Sequence, residues 1–107
     1  MANTYKSYFV DLTTTSKTLI YTVPANTTAI VKTIQLTNES GNVNVKVYVT
    51  DTSAATEYEI SHSTMSARST ENFAKASIVL EAGDLIKIQA ATANTVTGVI
   101  SVLHVQY

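Results

Sequence analysis

Residues Val43 to Thr50 read VNVKVYVT, and no other stretch restricts the fold of this chain so tightly. Every second residue is valine. An extended backbone therefore gathers Val43, Val45, Val47 and Val49 on one side and Asn44, Lys46, Tyr48 and Thr50 on the other. That is a strand with one dry face and one wet face. Threonine is the commonest residue and valine and alanine follow; Thr and Val are stiff at χ1 and suit a pleated, half-buried surface better than a helix. The period of two recurs in YFVDL, which groups Tyr8, Val10 and Leu12, and in LIYTV, which groups Leu19, Tyr21 and Val23. AIVKTIQL aligns Ile30, Ile34 and Leu36 and leaves Lys32 as an exception, its aliphatic stem free to lie along apolar surface with the amine outside.

Turn chemistry separates these runs. Pro24, the only proline, cannot donate to a strand ladder and so ends the run at Val23; ANTT then lets the chain cross to begin the next strand. In a two-sheet structure such a corner passes between sheets or makes a tight β-arch. NESGN (38–42), EAGD (81–84) and ATANT (91–95) are further turns, the first with Gly41 available for positive φ. Turns at this spacing predict an all-β chain, an antiparallel two-sheet β-sandwich of jelly-roll or Ig-like type with about eight strands and little or no helix. The 107 residues are expected to form one domain, with 1–8 as an N-terminal arm. The segment 52–76 is polar and weakly patterned. EYEIS reads as a short strand with Tyr58 and Ile60 inward, and MSARSTENFAKA as a loop or one helical turn capped by Ser69 or Thr70.

The final run, VTGVISVLHVQY, is apolar on both sides. Val96, Gly98, Ile100, Val102 and His104 share one face; Val99, Leu103, Val105 and Tyr107 share the other. A strand at the surface of a solvated sheet alternates more cleanly. Either it is central with its outer face covered, or that face meets another chain. Few residues remain to form a covering helix, so an interface is expected.

Composition narrows the function. Charged residues make up 14% of the chain, against about 25% in ordinary domains, which points to a surface of hydroxyls, amides and subunit contacts. Seven basic and eight acidic residues are scattered singly, without the basic run that neutralises phosphates, so nucleic acid is not an expected partner. No apolar stretch nears the roughly 18 residues that span a bilayer, and MANTYKSYFVDL lacks the pattern of an export leader. No membrane partner is expected, and the protein is expected to stay where it is made. With no cysteine, the chain has no disulfide, thiolate nucleophile or thiolate metal site.

Catalysis finds no support. Gly41, Gly83 and Gly98 lie too far apart for a phosphate-cradling loop, and His62 and His104 have no serine on a nucleophile elbow; His62 reads as solvated and His104 as packed at an edge or interface. Glu57, Glu59 and His62 are the one constellation that suits a hard cation, yet glutamates on an exposed edge strand also serve to discourage stray strand pairing. The same two glutamates sit side by side on one strand instead of facing each other across a cleft, as glycoside hydrolysis requires. Tyr5, Tyr8, Tyr21, Tyr48, Tyr58 and Tyr107 are dispersed and there is no tryptophan, which weakens a sugar-stacking platform. The expectation is no catalytic, cofactor or metal site. The candidate interface residues are Tyr5, Tyr8, Val99, Leu103, Val105 and Tyr107.

Two stretches resemble a known class. LIYTVPANTTAIVKTIQLTNESG is similar to an opening common among small virion proteins of tailed bacteriophages, and IVLEAGDLIKIQAATANTVTGVISVLHV to their closing half, where an AGD hairpin precedes a long last strand. Together they span nearly half of the chain; the middle, 52–76, matches nothing in that class. The resemblance implies a structural β-sandwich of a phage particle, made in the host cytoplasm and ending in the virion. It implies a capsid decoration (cement) protein bound to the major capsid protein or other virion proteins as a homo-oligomer, with a trimer favoured. A tail, fibre or spike component with host-surface or carbohydrate binding is the alternative.

Overall fold

The alternating runs become strands. A computed structural model describes residues 2–107, and within them the chain forms nine strands and no helix. They are β1 (Ala2–Leu12), β2 (Thr18–Thr22), β3 (Thr27–Asn38), β4 (Val43–Asp51), β5 (Thr56–Met65), β6 (Thr70–Asn72), β7 (Ile78–Leu80), β8 (Leu85–Ala90) and β9 (Val96–Gln106). The segment expected as an arm is, from Ala2 on, the larger part of β1, paired with β9 along its whole length; Met1 lies outside the described residues.

Two antiparallel sheets result. One runs β1-β9-β3-β6, with β7 also on β3; the other runs β2-β8-β4-β5. β6 pairs Gln35–Thr37 and β7 pairs Ala29–Val31, so the two short strands share one edge position. The chain crosses between the sheets at nearly every connection, and its late strands β8 and β9 slot in beside the early ones. Of the two architectures the sequence left open, this winding is the jelly roll. Pro24 sits at the crossing from β2 to β3, where Asn26 takes a φ of 56°. Backbone bonds from Val23 N to Asp84 O (2.9 Å) and from Gly83 N to Val23 O (3.0 Å) tie that corner to the EAGD turn.

The core lies between the sheets. Val47 lies opposite Ile88 and Val49 opposite Ile86 on the adjoining strand, and Ile34, Leu36, Ile100 and Val102 close over them from the opposite sheet, all buried. Three bulges correct the simple alternation. Lys32 is the extra residue of β3, between Val31 paired with Val102 and Thr33 paired with Ser101. Ala29 and Val31 therefore point inward before it and Ile34 and Leu36 after it, while Ile30, expected inside, faces out. Ile20 is the extra residue of β2, which turns Leu19 to solvent while Tyr21 and Val23 stay buried. Ile60 is the extra residue of β5; it and Tyr58 are exposed, contrary to the inward reading, because this edge lies beyond the cover of the other sheet.

The weakly patterned middle also supplies core. Met65, Phe73 and Ala74 are buried. Asn72 directs the turn: its Oδ1 accepts from Ile34 N and Ala74 N, each at 3.0 Å, and Phe73 N donates to Ile34 O at 2.8 Å. The helical alternative for 65–76 does not form; Thr70–Asn72 pairs with β3 instead. Buried Asn38 organises the next loop by donating from Nδ2 to Gly41 O (2.7 Å) and Ser66 O (3.1 Å).

Candidate functional site

The two outer sheet faces differ in chemistry. On the β2-β8-β4-β5 sheet, Glu57 accepts from both Lys17 and Lys87, and Lys17 Nζ lies 4.1 Å from the centroid of the Tyr48 ring. Glu59 reaches Lys46 at 3.9 Å and His62 Nδ1 at 3.2 Å. The hydrogen bond from Lys17 leads the causes that hold the Glu57 carboxyl below its usual range, and the same bond raises the Lys17 amine. The glutamates and His62, weighed above as a cation site, are thus engaged with lysines or with one another. Among the described residues no three His, Cys, Asp or Glu side chains converge as a metal site.

On the β1-β9-β3 sheet the register lays out a different surface. Tyr5 is opposite Leu103, Leu103 opposite Ile30, and Ile30 opposite Val79, so one apolar row crosses four strands. Two rows along, Phe9 is opposite Val99 and Val99 opposite Gln35; between them lie Ser7, Ser101 and Thr33. On the other flank Asn3, Val105 and Thr28 align. Directly opposed residues of an antiparallel pair share a face, so these side chains form one patch. Tyr5 is 76% exposed, Phe9 83% and Val79 64%. No charged side chain stands in these rows; Asp11 lies one row beyond Phe9, and Lys32 sits at the bulge.

Four of the sequence-derived candidates fall on this patch: Tyr5, Val99, Leu103 and Val105. β9 is central in its sheet, and no described element covers its outer face, which its neighbours leave half-buried. Tyr107 lies just past β9, exposed, with its backbone N–H donated to Asn26 O at 3.0 Å. Tyr8 does not join them. It faces inward, its ring 4.7 Å from that of Tyr21 and 6.2 Å from that of His104. Phe9, Ile30 and Val79 belong to the patch and escaped the sequence reading. The parity of YFVDL already set Phe9 opposite to Val10, whereas the bulge at Lys32 hid Ile30.

His104 is also interior, not at an edge or interface: it is buried, and its Nε2 shares a 2.6 Å hydrogen bond with Tyr21 Oη. Burial, with a smaller effect from the Lys6 ammonium, lowers the imidazole below its ordinary value. Burial pushes the Tyr21 phenol up to about 12. The pair is a polar link inside the sandwich, and among the described residues no serine or threonine hydroxyl and no carboxylate is bonded to the imidazole.

No family model matches the chain, and no curated protein matches it. Among solved structures, the chain is similar to one described as "Bacillus endospore appendages form a novel family of disulfide-linked pili", at 16% identity and a TM-score of 0.46, over 96% of this chain and 82% of that one.

Proposed function

We propose that the chain is a non-enzymatic structural protein of a bacteriophage particle, a capsid decoration (cement) protein that lies on the shell by the outer face of the β1-β9-β3 sheet. The observation that carries this reading is the contrast between the faces. One is a lattice of engaged charges; the other is an uncharged patch of aromatic, aliphatic and hydroxyl side chains. Water is the natural neighbour of the first, and a protein surface that of the second. Covering a large apolar side chain such as Phe9 or Val79 contributes about 1.5–3 kcal/mol at most, so a few per copy make a weak contact. Weak contacts suit a protein that decorates a shell in many copies. The placement in a phage particle rests on the TVPAN and EAGD resemblance, and the partner is then the major capsid protein or another virion protein.

Particles released by the cells that carry this gene test the reading. Quantitative mass spectrometry of purified particles is expected to find the chain at a copy number comparable to the shell protein. A few copies per particle would move it to a tail or fibre, and its absence would overturn the virion assignment.

A further inference from the structure

A two-sheet sandwich has four edges, and three of them here are protected. β2 is five residues long and bulged at Ile20. The edge shared by β6 and β7 is broken into two pieces of three residues each. β5 is bulged at Ile60 and carries Glu57, Glu59 and His62. These are the usual devices against unwanted strand addition. β1 is neither short, broken nor bulged. It runs eleven residues without proline, glycine or register shift, pairs with β9 on one side, and has no strand partner on the other among the described residues. Its only charges are Lys6 and Asp11, and from Ala2 to Ser7 it is exposed on both of its faces.

We propose that β1 is a pairing edge and that its partner is β1 of a second copy of this chain, joined antiparallel about a two-fold axis at Ser7. The occupant follows from the strand itself. A two-fold axis normal to the sheet keeps the outer face outer, so a residue can only meet one of its own parity. Centring on Ser7 pairs all eleven residues and sets Tyr5 against Phe9 twice, burying the two most exposed large apolar side chains among the described residues in cross-strand aromatic pairs. Asn3 then faces Asp11 and Lys6 faces Tyr8, and no like charges meet. Centring on Lys6 would oppose two ammonium groups, and centring on Tyr8 would set Tyr5 against Asp11. The joined molecule carries one continuous sheet, and the two outer patches meet across the seam with one Asp11 at each end of it. The seam is isologous and commits the chain to a dimer, where the phage-protein resemblance favoured a trimer. It stands whatever the outer face binds.

Light scattering across a concentration series, with two double variants, tests the seam. The wild type is expected to approach twice the chain mass of 11.5 kDa. Tyr5→Lys with Phe9→Lys places lysine opposite lysine and is expected to weaken the dimer about ten- to a hundredfold. Tyr5→Lys with Phe9→Glu places lysine opposite glutamate and is expected to weaken it by less than about tenfold. Both positions are solvent-exposed in the free chain, so a melting curve for each variant confirms that it folds. Ser7→Cys, in a chain otherwise free of cysteine, is expected to form a disulfide-linked dimer on oxidation, and Ser101→Cys on the neighbouring central strand is not. A wild type that stays monomeric or forms a trimer overturns the proposal. So does a dimer indifferent to Tyr5→Lys with Phe9→Lys, or one lost equally in both double variants.

Discussion

Gly98 is where one atom decides most. It lies on β9 between Val10 and Leu36, and a Cβ there would stand 2.1 Å from the carbonyl oxygen of Gln35 and 2.7 Å from Leu36 Cδ2. The backbone oxygen cannot swing aside as a side chain would. Gly98→Ala is therefore expected to cost more than the about 1–3 kcal/mol of ordinary overpacking, read as a lower urea midpoint. The Tyr21–His104 link yields a pH dependence. Its imidazole is held below the ordinary value of 6.5, so above that pH neither folded nor unfolded chain binds the proton and nothing is lost. As pH falls below 6.5 the unfolded chain protonates first and stability declines, until the folded imidazole also titrates. Tyr21, its phenol pushed up to about 12 by burial, stays neutral through this range. Unfolding free energies between pH 8 and 5 are expected to show this slope, and His104→Gln to remove its share. Tyr21→Phe strips the partner from a buried ring nitrogen and is expected to cost about 1–3 kcal/mol at neutral pH. The sequence showed that His104 falls on the Val96–Val102 face; it did not show that Tyr8 and Tyr21 close over it.

At the scale of the strand, the bulges explain where periodicity succeeded and where it slipped. VNVKVYVT is regular, and its four valines are all buried as the alternation required. In AIVKTIQL the out-of-place lysine was itself the signal: Lys32 is the residue inserted into the β3–β9 ladder, and the faces change phase there. Lys32→Ala is accordingly expected to leave stability within about 0.5 kcal/mol, since only an exposed side chain is lost. Deleting Lys32 removes the extra residue, drives Ala29 and Val31 to the wrong face or breaks their pairing, and is expected to abolish cooperative unfolding in urea. The bulges at Ile20 and Ile60 carried no comparable mark, because an apolar residue at the extra position does not interrupt an apolar pattern.

For the molecule as a whole, the useful difference lies between its two outer faces. Val79→Lys puts a charge at the end of the Tyr5–Leu103–Ile30–Val79 row on an exposed side chain, so the melting temperature is expected to hold within a few degrees. Under the decoration reading, incorporation into particles is expected to fall by about tenfold or more, the effect of one buried charge opposing a contact of a few kcal/mol. Lys46→Ala, on the opposite sheet, is expected to leave incorporation unchanged. Both are measured by quantifying the chain in purified particles.

Alternation, β-branching and turn residues by themselves determined that the chain is a two-sheet sandwich, that β9 is apolar on both sides, and that Pro24 marks a crossing between strands. These are local properties, set by side-chain period and backbone φ. Only the tertiary structure decided the jelly-roll winding, the burial of Phe73 and Met65, the inward turn of Tyr8, and the alignment of Tyr5, Leu103, Ile30 and Val79 in one row. Each of these depends on which strands lie side by side and in what register. Residues as distant in sequence as Tyr5 and Leu103 acquire a common face only when the ladder between them closes.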